Sequence, residues 1–191
     1  MLEKFQAAME KTLIPFANKL SQNKVLKAIS GGFSALLPII MVGAIASLLS
    51  GLNIEVYQNF ITSIGLKTIV SYISAYTTNM MAIYAVFSIG NSMAKQLECK
   101  DQSILVGIIS LMVFLLTIPL GVSKDEVTIA AAISTSYFGA PGLFTAMIIG
   151  CVVPLIYNIF VKHHIVIKMP DGVPPQIANG FSAIIPAVCI T

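Results

Sequence analysis

Apolar residues in this chain come in long blocks rather than in the alternating or one-faced patterns of a water-soluble fold. Over residues 1–24, Leu2, Phe5, Met9, Leu13, Phe16 and Leu20 recur three or four apart, while Lys4, Lys11 and Lys19 share the remaining arc with Glu3 and Glu10. An apolar stripe opposite a charged arc predicts an amphipathic helix lying at a membrane interface, bent at Pro15. Beyond it the blocks are unbroken. Runs near Val25–Leu49, Ile69–Met93, Ile104–Leu120 and Gly142–Val161 reach or approach the roughly 20 residues a membrane-crossing helix needs. Pro38 lies inside the first and should kink it unless neighbours compensate. A further apolar run starts at Ile177 and reaches Thr191. Val127–Phe138, apolar but short and sprinkled with polar residues, is expected to be a re-entrant or interfacial piece. The expected fold is all-α. It is a polytopic transmembrane bundle of four complete spans and the start of a fifth over 25–191, preceded by the interfacial helix at 1–24.

Composition supports lipid as the solvent. The chain is 57% hydrophobic and 10% charged, against about 25% charged residues in soluble domains. Charged and apolar residues alternate too long at the start for a cleavable signal. The lysines are sorted by side. With the N-terminus inside, Lys4, Lys11, Lys19, Lys24, Lys27, Lys95, Lys100, Lys162 and Lys168 fall on the cytoplasmic face, and only Lys67 and Lys124 opposite. That bias predicts a cytoplasmic N-terminus and a cytoplasmic loop around Lys168.

That loop carries the most specific string. In IVIKMPDGVPPQIANGFSAIIP, from Ile165 to Pro186, the charges and prolines cannot lie mid-helix in hydrocarbon. Gly172, Pro174 and Pro175 would hold one turn shape, because proline fixes φ and glycine permits positive φ. As a rigid connector they would set the angle of the next helix. Lys168 and Asp171 could contact a soluble partner or neighbouring cytoplasmic segments. Gly32-Phe-Ser-Ala-Leu-Leu-Pro38 recurs as Gly180-Phe-Ser-Ala-Ile-Ile-Pro186, which suggests a parallel repeated element.

KMPDGVPPQIAN followed by F-x-A-x-x-P resembles the loop of the membrane permease subunit, enzyme IIC, of bacterial phosphotransferase systems. The lactose, cellobiose and diacetylchitobiose branch is the nearest. YFGAPGLF (Tyr137 to Phe144) and KAISGGFSALLPIIMVGA fit the same order. The chain departs from the family at Leu155 and Asn158, where members often carry an acidic and a basic residue, and it has no arginine. The resemblance implies the N-terminal, oligomer-forming part of a sugar permease in the bacterial cytoplasmic membrane. It implies a β-linked disaccharide as substrate, soluble IIA and IIB subunits as phosphoryl-carrying partners, and a homodimer. Members hold the sugar mainly in the C-terminal half, so the gripping residues are expected beyond Thr191. A different reading is a truncated, non-transporting fragment that dimerises with or scaffolds full-length permeases. No residue chooses among cellobiose, diacetylchitobiose and lactose.

Candidate chemistry is sparse. The second run opens with Ser71, Tyr72, Ser74, Tyr76, Thr77, Thr78 and Asn79. Such side chains either bond across helices, the commoner role, or line a wet cavity, and Asn79 is the candidate sugar contact. Gly43, Ser47 and Gly51, and likewise Gly142, Ala146 and Gly150, make small-residue faces suited to close helix packing. His163 and His164 are adjacent, so they diverge on a helix and suit capping better than metal binding. Cys99, Cys151 and Cys189 form no ligand cluster, and the last two are expected as small buried hydrophobes. No nucleophile–base pair, phosphate loop or metal spacing is present, so catalysis, a cofactor and a nucleic-acid partner are not expected. All eight acidic residues lie outside the four predicted spans, which argues against an ion-coupled carrier.

Overall fold

A computed structural model describes residues 22–97, 99–124, 129–167, 169–170 and 172–191. The interfacial helix expected at 1–24 lies almost wholly outside them. Helix α1, Lys24–Gly51, starts at an Asn23 cap whose Oδ1 accepts the Val25 amide at 2.9 Å, and it is continuous through Pro38. Its 28 residues span about 42 Å at 1.5 Å per residue, more than the hydrocarbon of a bilayer. The buried positions are Ala28, Gly32, Leu36, Gly43 and Ala46, whereas Leu37, Met41, Ile45 and Leu48 are each more than half exposed. Small residues inside and large aliphatics outside invert the arrangement that water selects. This is the order expected where lipid surrounds the bundle and close packing holds it together.

A short helix not expected from the sequence, α2 at Glu55–Ser63, folds back under α1. Tyr57 donates to the Leu49 carbonyl, and Gln58 Nε2 to those of Ser50 and Leu52, so α2 supplies donors to carbonyls that a helix end leaves unpaired. Gly65, at φ 70, then turns the chain into α3, Leu66–Thr77. The second predicted span is not one helix. A 3-10 turn at Thr78–Met80 separates α3 from α4, Met81–Lys95.

α5, Ser103–Leu116, occupies the start of the third predicted run. That run was expected to stay helical to Leu120, but the helix stops before Pro119, and β1 at Leu120–Lys124 pairs antiparallel with β2 at Ile129–Ile133, from Leu120↔Ile133 to Lys124↔Ile129. The chain is helical as expected, and this short ribbon is a local departure from it. The segment foreseen as re-entrant or interfacial contributes one strand of a two-stranded ribbon, followed by 3-10 turns at Thr135–Tyr137 and Ala140–Gly142. α6, Leu143–Lys162, matches the fourth predicted run. The last run is split into α7, Pro175–Ser182, and α8, Ile184–Ile190. Among the described residues two helical stretches, Lys24–Gly51 and Ala140–Lys162, are individually long and apolar enough to cross a membrane.

α4 is the hub, packed against α1, α5 and α6. Ala82, Ala85, Val86, Ile89, Met93 and Ala94 are buried along it. Glycines set the approach: a Cβ on Gly32 would lie 2.8 Å from the Ile89 Cα, and one on Gly150 would lie 3.0 Å from the Ile89 side chain. Ser88 Oγ donates to the Gly32 carbonyl at 2.9 Å. The two small-residue faces thus pack inside the chain, although Gly51 meets nothing within 4 Å. The seven-residue echo does not pack as a repeat. Gly32 and Leu36 are buried in one copy, Ala183 and Pro186 in the other, so the two copies turn different faces inward. Cys99 and Cys151 are buried, but Cys189 is exposed on α8, contrary to expectation.

Candidate functional site

The helix break at Thr78–Met80 has local causes. Thr77 Oγ1 bonds back to the Ile73 carbonyl at 2.6 Å, a contact that bends helices. Gly43 of α1 lies directly against the Thr77 and Thr78 hydroxyls, and Ser47 and Ser74 share a 2.7 Å hydrogen bond across the same seam. Where the helical ladder is interrupted, the Ala82 amide donates to the Phe138 carbonyl at 2.7 Å. Gly139 packs onto the Asn79 backbone, with room for a Cβ only 3.3 Å from its carbonyl oxygen. The 3-10 segments before α6 therefore dock onto the break.

Between them lies a cleft of about 650 Å³, within the usual range for small-molecule sites, lined by Tyr72, Tyr76, Asn79, Thr135, Ser136 and Pro141 among others. Asn79 is exposed there, and the two tyrosines are each 60% exposed. Its lining residues carry no charge. Two phenol rings, an amide and the hydroxyls of Thr78, Thr135 and Ser136 on an otherwise apolar wall can stack on, and hydrogen-bond to, a neutral polyhydroxylated solute. Of the polar cluster singled out in the sequence, Ser71, Ser74 and Thr77 bond to backbone or to α1. Tyr72, Tyr76, Thr78 and Asn79 face the cleft.

At the proline loop, Gly172 adopts φ 108, Pro174 is extended at φ −53 and ψ 136, and Pro175 is the first residue of α7. Lys168 and Asp171 lie outside the described residues. His163 follows the last turn of α6, and His164 takes a left-handed φ of 55. No cluster of metal-ligating residues occurs among the described residues. Asn158, at the departure from the family pattern, is buried.

One constellation escaped the sequence reading. Gln102 accepts from the Tyr157 hydroxyl at 2.7 Å and donates to Asn179 Oδ1 and Ser182 Oγ, each at 3.1 Å. Its members come from three segments far apart in the chain, so no local motif announces it.

Residues 30–191 match the family described as "Phosphotransferase system, EIIC". The chain is 28% identical over 203 residues to the galactose-specific EIIC component of Lactococcus lactis subsp. cremoris (strain MG1363), covering 99% of this chain and 45% of that one. It is 29% identical over 198 residues to the cellobiose-specific EIIC component of Geobacillus stearothermophilus, covering 99% and 44%. Its fold superposes with a TM-score of 0.83 on the crystal structure of the transporter ChbC, the IIC component from the N,N'-diacetylchitobiose-specific phosphotransferase system. That match is 30% identical and covers 95% of this chain and 44% of that one. The chain spans less than half the length of these relatives.

Proposed function

The chain belongs to the phosphotransferase system EIIC family, and on that premise we propose that it is the N-terminal part of a sugar permease of the bacterial cytoplasmic membrane. Its substrate is a β-linked disaccharide of the cellobiose, diacetylchitobiose or lactose type. The sugar enters the cell for phosphorylation by soluble IIA and IIB subunits, and the chemistry takes place on those subunits. Residues 25–191 form the oligomerisation part of a homodimer, with the N-terminus and the proline loop in the cytoplasm. Asn79 contacts the passing sugar at the helix break, and Lys168 and Asp171 contact a partner or adjoining cytoplasmic segments.

The observation that carries this reading is the chain-long likeness to ChbC at 30% identity. The uncharged cleft agrees with a neutral sugar. The test is uptake of radiolabelled cellobiose, diacetylchitobiose and lactose by cells that lack their own permeases for these sugars. The cells express the coding sequence in full, including whatever follows Thr191, together with IIA and IIB. Phosphoenolpyruvate-dependent accumulation of one of the three as its phosphate is expected. Accumulation of none would overturn the substrate class.

A further inference from the structure

α7 is a short lever with little apolar attachment of its own. None of the described side chains in Pro175–Ser182 is fully buried, whereas Ala183 just beyond it and Pro186 on α8 are. It also lies between two joints. Upstream, the loop from α6 passes through left-handed backbone at His164 and Gly172. Downstream, the helix is interrupted at Ala183 before α8 begins.

The contact that does fix α7 is polar and directional. The Tyr157 ring is wholly buried on α6, so its hydroxyl cannot turn to water, and it donates to Gln102 Oε1 at 2.7 Å. In this arrangement the amide oxygen faces the phenol and the NH₂ faces α7. There it meets Asn179 Oδ1 and Ser182 Oγ, each at 3.1 Å. Ser182 Oγ spends its own proton on the Asn179 carbonyl at 2.9 Å, which leaves it an acceptor toward Gln102. Donor and acceptor roles are matched along the chain. In weakly polar surroundings a satisfied network of this kind specifies one arrangement, and a half-satisfied one is costly.

We propose that Gln102 is a positioning residue that latches α7 onto α5 and α6, and that α7 detaches locally when this latch opens. Apolar packing alone would let α7 slide or roll, whereas the matched amide allows one register. The latch sets the direction in which the chain leaves the four-helix core of α1, α4, α5 and α6, whatever solute the protein carries.

Thiol accessibility tests this in the purified full chain. Ala183→Cys is introduced with Cys189→Ser, and the buried native Cys151 reports on general loosening. Adding Gln102→Leu is expected to raise the modification rate at position 183 by about tenfold or more, as a local opening would, while Cys151 stays protected. Gln102→Glu is expected to release α7 as well, because a carboxylate still accepts from the Tyr157 hydroxyl but has no proton to offer Asn179 Oδ1 or Ser182 Oγ, whose own proton is spent. Tyr157→Phe gives an intermediate rate. If Gln102→Leu does not fold, Ser182→Ala and Asn179→Ala remove only the α7 side of the latch and must show the same selective rise. Unchanged reactivity at 183 in these variants, or a parallel rise at Cys151, overturns the proposal.

Discussion

Gly32 and Ile89 bring the backbones of α1 and α4 almost into contact, since a single Cβ on Gly32 would stand 2.8 Å from the Ile89 Cα and 2.9 Å from its amide nitrogen. Backbone cannot move aside as a side chain can. Gly32→Val should therefore push the helices apart, strand the Ser88 hydroxyl that bonds the Gly32 carbonyl, and destabilise the chain by about 1–3 kcal/mol or more. Gly180→Ala is the control. It lies inside α7 with nothing within 4 Å of the added methyl, so it should be neutral or stabilising by up to about 1 kcal/mol. Thermal unfolding in detergent separates the two.

Gly43 makes a second prediction, aimed at the helix break. Its missing Cβ leaves the space into which the Thr77 and Thr78 hydroxyls fit. Gly43→Leu would collide with both and displace the turn that shapes the cleft. Expected outcomes are a lowered unfolding temperature and loss of sugar uptake together. Gly51→Ala, eight residues along on the same face, meets open space and should change neither.

How far the fold was legible follows from the solvent. Hydropathy blocks are long-range averages, so α1 and α6 emerged with boundaries within two residues of those seen. The same averaging hid the break at Thr78–Met80, because Met80 and Met81 resume the apolar run at once. The Thr-Thr-Asn sequence there was noticed for its polarity, but its back-bonding to the helix backbone was the stronger effect. β2 was missed because Ile-Ala-Ala-Ala-Ile shows no alternation, and its pairing with β1 is set by a separate stretch, Leu120–Lys124. α2 lay in the gap between two apolar blocks and, at nine residues, is too short to register as a block of its own. The Gln102 latch was invisible for a different reason. Its residues are 55 and 77 positions apart, and nothing in a lone Gln at a helix entry distinguishes a bracket from a solvated cap.

Topology gives a prediction that does not depend on the substrate. In the proposed orientation, which puts nine of the lysines on the cytoplasmic face, position 172 is expected inside the cell and Lys67 outside. In a background where the native cysteines are replaced, Gly172→Cys should stay unlabelled by a membrane-impermeant maleimide added to intact cells and label fully after lysis. Lys67→Cys should label in both. The reverse pattern would invert the protein and remove the proline loop from the compartment of any soluble phosphoryl carrier.

The cleft supplies the last prediction, in which binding and stability should come apart. Asn79 is exposed at the turn, and it is its backbone that Gly139 rests upon. Asn79→Leu therefore keeps the packing and removes an amide that can both donate to and accept from a sugar hydroxyl. A site built to hydrogen-bond a hydroxyl loses more than an apolar pocket does when the partner is removed. Uptake at low sugar concentration should fall by about tenfold or more, which corresponds to roughly 1.4 kcal/mol, with the unfolding temperature unchanged. Tyr76→Phe preserves the ring and should be tolerated, while Tyr76→Ala removes a stacking face and should raise KM. Tyr84 bonds the Tyr76 carbonyl rather than its phenol, so the Ala variant leaves the local backbone anchored. Unaltered uptake in both Asn79→Leu and Tyr76→Ala would mean that the sugar takes a route away from the helix break, and that the break serves packing against α1 alone.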